Sequence, residues 1–245
     1  MTIQNKVVAI TGAGRGIGRA TALHLAERGA RLVLGARNEA EIAAVAKQIE
    51  EAGHEAVLRA CNVTIRADLE ALVDLARARF GRLDVMVNNA GIGPISRFDA
   101  LRVEDWDAMI DVNLKGALYG IAAALPLFEA QGQGHIINVL STAGIKIVPT
   151  MGVYAATKNA LRTATEALRQ ESGRHLRVTE VSPGFIDTNF ADASITDPDV
   201  KAAIQKRKEQ IAISPDAIAR AIAFAIDQPH DVEIGSIVVR PTAQD

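Results

Sequence analysis

The chain has a single cysteine, Cys61, in 245 residues, so no intramolecular disulfide can form. Its setting after Leu58-Arg59-Ala60 suits a buried packing role in a reducing cytoplasm, where the protein is expected to reside. There is no excess of charge either: 27 Lys and Arg against 29 Asp and Glu leave a formal net charge of -2. That balance argues against nucleic acid or an anionic membrane as partner and favours small molecules or protein. The opening Met1-Thr2-Ile3-Gln4-Asn5-Lys6 lacks the basic region, apolar core and cleavage site of a secretory signal. No apolar run reaches the roughly 18 residues of a membrane span, and the longest weakly polar stretch, 116–128, is interrupted by Pro126 and reads as a buried helix. His24, His54, His135, His175 and His230 lie far apart without metal-ligand spacing, so no metal site is expected. Without a Ser/Gly-rich linker, charge block or fixed-period repeat, and with 49% apolar residues, the chain reads as one domain around one core.

What is present is alternation. Short runs rich in Val, Ile and Leu recur at 6–11, 31–36, 55–60, 83–88, 134–140, 177–181 and 235–240, with helix-length segments between most of them. Runs apolar throughout indicate strands covered on both faces, so the fold class is α/β: a doubly wound parallel sheet of about seven strands. Asn38 can cap a helix over 39–51 that Gly53 ends, and Ser214-Pro215 provides a cap and a first-turn proline for 216–226. The one long irregular stretch, about 183–213, follows a strand, where open α/β sheets bind ligands, and reads as a binding loop or else a surface excursion. Its basic run at 201–209 reads as a solvated helical face.

The first strand runs into Thr11-Gly12-Ala13-Gly14-Arg15-Gly16-Ile17-Gly18, a T-G-x-x-x-G-x-G pattern rather than G-x-G-x-x-G. Between strand and helix, such glycines let the backbone approach a pyrophosphate at the helix N-terminus; a tight turn with no ligand is the alternative. The second strand ends in Leu34-Gly35-Ala36-Arg37, with no acid to hold a ribose 2′-hydroxyl. Arg37, with Arg15 from the other side, can instead grip a 2′-phosphate, which favours NADP; each arginine alone could be a solvated surface charge.

Tyr154 and Lys158 stand four apart, thirteen residues after Ser141. On a helix that spacing puts both on one face, so the ammonium can stabilise the phenolate, and the tyrosine is expected to yield a proton near neutral pH. With Asn88-Asn89-Ala90-Gly91 after the fourth strand, Asn113 in Asp111-Val112-Asn113, Ser141, Tyr154-x-x-x-Lys158 and Pro183-Gly184, all behind that glycine turn, the chain resembles the short-chain dehydrogenase/reductase family over nearly its whole length.

The resemblance implies an NADP(H)-dependent oxidoreductase interconverting a ketone and a secondary alcohol. Tyr154 is then the acid or base, Lys158 binds the nicotinamide ribose and lowers the tyrosine pKa, Ser141 holds the carbonyl oxygen, and Asn113 supports a water-linked proton relay. It further implies cofactor contacts from Gly12, Arg15, Gly16, Ile17, Gly18 and Arg37, from Asn62 and Val63, and from Asn88, Asn89, Ala90 and Gly91. Pro183 and Gly184 shape the nicotinamide pocket and Thr188 meets the carboxamide. A homodimer or homotetramer built on helices around 114–130 and 154–170 is implied too.

Asn62 stands where many relatives carry an acid against adenine. The tail Arg240-Pro241-Thr242-Ala243-Gln244-Asp245 lacks the family's glycine-ended closing and is similar to that of a subgroup of NADP-dependent reductases and hydroxy-acid dehydrogenases. A hydroxy-acid dehydrogenase is therefore an alternative. From another class, an NADP-binding sensing or structural module would not need the intact acid–base set. Ile92, Gly93, Ala143, Val148, Met151 and residues 185–190 are expected to line a mainly apolar substrate pocket.

Overall fold

The structure, a computed structural model, describes residues 3–190, 195 and 198–244. Residues 1–2 of the opening segment, 191–194 and 196–197 of the expected irregular stretch, and Asp245 of the tail lie outside the described residues.

Seven parallel strands form one sheet: β1 (Val7–Thr11), β2 (Arg31–Ala36), β3 (Ala56–Ala60), β4 (Val85–Asn88), β5 (Gly134–Val139), β6 (Leu176–Pro183) and β7 (Ser236–Val239), in the order β3-β2-β1-β4-β5-β6-β7. Parallel neighbours need crossovers, which the helices supply. Strand alternation sorts the apolar side chains into two layers. Val8, Ile10, Leu32, Leu34, Val85 and Val87 pack with α1 (Gly16–Glu27), α2 (Glu39–Glu51) and α8 (Asp216–Ile226). Val7, Ala9, Val33, Met86 and Ile136 pack with α3 (Arg66–Phe80) and α5 (Gly116–Gln131). Strand order reverses between β1 and β4, which opens a crevice above the C-terminal ends of the strands.

Burial of every strand on both faces holds only for the centre. β1, β4, β5 and β6 are buried throughout, but β3 and β7 are edge strands with exposed positions at Arg59, Ala60, Ser236 and Val238. An apolar run alone does not distinguish an edge from a centre.

Asn38 caps α2 through its side chain, which accepts from Glu41 N, and Gly53 beyond the helix adopts φ +84°. Ser214 Oγ accepts from Asp216 N at the start of α8. Pro126 does not interrupt its segment. Helix runs unbroken from α4 (Val103–Met109) through a wide π turn at Ile110–Lys115 and on through α5 to Gln131, a stretch long and apolar enough in length and composition to cross a membrane. Here Ile121, Ala124 and Phe128 of that helix pack against Leu69 and Leu72 of α3 and against the sheet.

The described residues of the stretch 183–213 include regular structure that the sequence reading did not expect. Ile186 bridges to Ile213 in parallel, Lys208 Nζ lies 3.1 Å from Asp187 Oδ1, and residues between them form α7 (Pro198–Ile211). Fourteen residues rich in Lys, Gln and Glu carry enough helix propensity for this, and the solvated face read at 201–209 lies on it.

Cys61 is buried, and burial pushes its thiol up to about 12, which leaves it inert. His135 of β5 is also buried, its Nε2 2.8 Å from Thr179 Oγ1. Burial first, then Arg177 and Lys6, hold it well below the usual histidine range. A base whose folded pKa is depressed contributes stability above its unfolded pKa and loses it as pH falls below that value. Melting temperature should therefore drop as pH falls from about 6.5 to 5, with His135 contributing up to ~1.4 kcal/mol per pH unit. His135→Gln should flatten part of that slope in thermal melts, and an unchanged slope would show that other groups carry it.

Candidate active site

The glycine turn sits at the crevice because β1 and β4 end side by side. Thr11 Oγ1 accepts from Asn89 N at 3.0 Å and Ala90 N at 3.1 Å, and Asn89 Nδ2 donates back to Thr11 O at 2.9 Å. Asn89, expected as a cofactor contact, thus spends its amide bracing the turn. A Cβ on Gly18 would lie 2.2 Å from Gly12 O, so only glycine lets α1 start this close to the turn. Arg15 occupies the N-cap of α1 without a side-chain cap bond, and no acid stands in the first turn. The first amides of α1 are free of any side-chain rival for a phosphate.

The turn opens one end of a cleft of about 1670 Å³ that Arg15, Arg37, Asn62 and Val63 also line. Asn62 Oδ1 accepts from Thr64 N at 3.2 Å and Thr64 Oγ1 at 3.0 Å, so its NH2 end is the one left to meet a base. Asn88 is corrected: it is buried in the sheet, donating to Asn138 Oδ1 at 2.9 Å, and Asn138 in turn donates to Thr165 Oγ1 at 2.9 Å. This polar ladder fixes α6 (Gly152–Glu171) on β4 and β5. The end of β2 carries no acid, as read, but α2 brings one that the strand-end rule does not examine: Glu41 lines the cleft beside Arg37 and Gly14.

At the other end α6 presents Tyr154 and Lys158, β5 leads into Ser141, and the π turn supplies Asn113. Lys158 Nζ donates to Val139 O at 3.0 Å and lies 5.9 Å from the Tyr154 ring centre. Asn113 faces Ile92 with both ends of its amide, accepting from Ile92 N at 2.8 Å and donating to Ile92 O at 2.9 Å. Gly91 lies between these groups: a Cβ there would be 3.3 Å from Asn113 Oδ1 and 3.5 Å from Lys158 Nζ. Ser141 Oγ accepts from Ala143 N at 3.1 Å and hydrogen-bonds Tyr154.

The electrostatics differ from expectation. Burial pushes the Tyr154 hydroxyl up to about 12, only partly opposed by the Ser141 hydrogen bond, and burial brings Lys158 down to about 8. The lysine does not set the tyrosine's value in the protein alone, because desolvation of the phenolate is the larger effect. A proton held at Tyr154 through neutral pH suits a donor.

The roof comes from the segment after β6. Thr188 Cγ2 lies 3.2 Å from the Cβ position of Gly16, across the cleft from Tyr154's end. The Phe190 ring stands 5.8 Å from that of Tyr154 and covers Gly93. Sequence reasoning missed one anchor, Gln244 of the tail. Its Oε1 accepts from Phe185 N at 2.8 Å and its Nε2 donates to Thr142 Oγ1 at 3.3 Å. A Cβ on Gly184 would come within 2.3 Å of Gln244 Oε1, so the glycine is what admits the tail. Among the described residues, no three histidine, cysteine or acidic side chains gather to hold a metal ion.

A sequence-family model described as short chain dehydrogenase matches residues 6–199. An uncharacterized oxidoreductase of Listeria monocytogenes is 46% identical over 247 residues, covering 100% of this chain and 99% of its own. An alcohol dehydrogenase from Thermococcus sibiricus, solved with 5-hydroxy-NADP, superposes with a TM-score of 0.88 at 32% identity, covering 99% of both chains. A short-chain dehydrogenase/reductase from Burkholderia phymatum, solved with NAD, gives 0.88 at 28% identity over 97% of this chain and 90% of that one. The chain belongs to the short-chain dehydrogenase/reductase family of oxidoreductases.

Proposed function

We propose that the protein interconverts a ketone and its secondary alcohol with NADP(H), Tyr154 giving the proton in reduction and taking it in oxidation. One observation carries the reading: Ser141, Tyr154 and Lys158 line one end of a cleft, where Lys158 and Asn113 flank Gly91, and the other end is a glycine turn flanked by two arginines.

The residues present fit a dinucleotide. Uncapped amides of α1 suit the pyrophosphate, the Asn62 NH2 can donate to adenine, and Arg15 and Arg37 suit a 2′-phosphate. The Thermococcus sibiricus enzyme, solved with an NADP derivative, supports the phosphate reading, while the NAD complex from Burkholderia phymatum keeps NAD as a competitor. When bound, the nicotinamide supplies the hydride. The chain does the rest: the Ser141 and Tyr154 hydroxyls meet the carbonyl oxygen and strengthen their hydrogen bonds as its negative charge grows. Tyr154 then transfers its proton to that oxygen. Lys158 holds positive charge beside the emerging phenolate, and Asn113 fixes the Ile92 backbone that walls the pocket.

The substrate side is apolar at its lip. Ile145, Ile147, Val148 and Phe190 all line the cleft yet stand 53%, 79%, 42% and 38% exposed. Uncovered side chains of this size around a pocket suit a ketone with a bulky apolar substituent.

The test follows NADPH absorbance across aryl ketones, long-chain alkyl ketones, keto esters and short keto acids. Faster turnover of the apolar ketones is expected. Short keto acids used best would favour a hydroxy-acid dehydrogenase, and tight NADPH binding with no turnover of any substrate would favour a binding module.

A further inference from the structure

We infer that Glu41 is a specificity-determining residue that holds back the preference for the phosphorylated dinucleotide. The inference rests on the reading that this cleft takes a nicotinamide dinucleotide. Glu41 is the third residue of α2, one turn beyond Arg37, and it does not point away into solvent. The Asn38 side-chain amide donates through Nδ2 to its Oε1 at 3.0 Å while accepting through Oδ1 from Glu41 N at 3.4 Å. Its other oxygen, Oε2, lies 2.9 Å from where Gly14 would carry a Cβ, and Glu41 Cβ lies 2.8 Å from the same point. The carboxylate is thus held against the glycine turn, and it lines the same cleft as Arg15 and Arg37.

A fixed anion there has a definite sign of effect. It offsets part of the positive potential the two arginines build, and a phosphate carrying nearly two negative charges is repelled by it. A ribose 2′-hydroxyl is not repelled and can donate a hydrogen bond to it. The end of β2 therefore selects for phosphate while the first turn of α2 selects against it, and the ratio of the two affinities is a balance between them. A capping role alone has a different signature, since loosening α2 affects both cofactors alike.

The experiment measures Kd for NADPH and for NADH, by nucleotide fluorescence, in the native protein and in Glu41→Gln. Glutamine keeps the oxygen that Asn38 meets and the packing over Gly14 while removing the charge. The expected result is a Kd for NADPH lowered by ~5- to 10-fold with that for NADH unchanged or raised by ~2- to 3-fold. The change in ratio should shrink at about 0.5 M salt. A ratio that stays fixed, or that moves toward NADH, overturns the inference while leaving the dinucleotide reading intact. Failure of the native protein to bind either nucleotide overturns both.

Discussion

Tyr154→Phe is expected to lower turnover of NADPH with a ketone by ~10³-fold or more while leaving NADPH affinity within about twofold of native. The substitution removes one hydroxyl and keeps the ring, which still packs 5.8 Å from Phe190. What is lost is the proton that must reach the carbonyl oxygen and one of the two hydrogen bonds to it, so the loss should fall on kcat. The pH profile supplies a second signature. A hydroxyl pushed up to about 12 stays protonated from pH 6 to 9, so native ketone reduction should be nearly flat until Lys158, brought down to about 8, loses its charge, and should fall above that pH. Alcohol oxidation needs the phenolate, whose fraction grows tenfold per pH unit below the pKa, so its initial rate should climb with pH. Stopped-flow or steady-state rates in both directions would check this. Substantial turnover by the phenylalanine variant would remove Tyr154 from the mechanism.

The second large effect is expected at the adenosine end. Arg37→Asp should reduce kcat/KM with NADPH by ~10²- to 10³-fold, because a charge-assisted hydrogen bond worth about 1.5–3 kcal/mol is replaced by repulsion. NADH should be used at least as well as before, since an acid at the end of β2 can accept from a 2′-hydroxyl. Arg37 is exposed and lies just beyond the end of β2, so the fold should tolerate the change and melting temperature should barely move. Equal losses with both cofactors would mean that Arg37 does not meet the phosphate.

The seven strands were legible because strands covered by helices are rich in apolar residues on both faces, a signal that survives without knowing their order. Which strands lay at the edges was not legible, since the runs that became β3 and β7 resemble those of the centre. Tyr154, Lys158 and Ser141 could be read from spacing because one helix and one strand end position them. Asn113 could be named from its motif, but its clamp on Ile92 depends on a wide turn that no local pattern announces. Glu41 escaped because the acid was sought at the end of β2, whereas a cap folds it back from the next helix. Gln244 meets Thr142 across 102 residues of chain, and only the folded sheet makes them neighbours. Sequence shows a lysine four residues from the tyrosine but not the desolvation that raises the one and lowers the other.

The π turn at Ile110–Lys115 lets the helix that contains it hold one residue more than its packing requires. A wide turn holds one residue more than a regular one, so deleting any single residue from it would leave an unbroken, ordinary helix. The loss would fall on the turn itself. The helix on either side would keep its phase, with Ile121, Ala124 and Phe128 still facing α3 and Trp106 and Met109 in place, while the backbone that carries Asn113 to Ile92 would shift. The surplus residue thus serves the site, since removing it would spare the packing of the helix and disturb the clamp of Asn113 on Ile92.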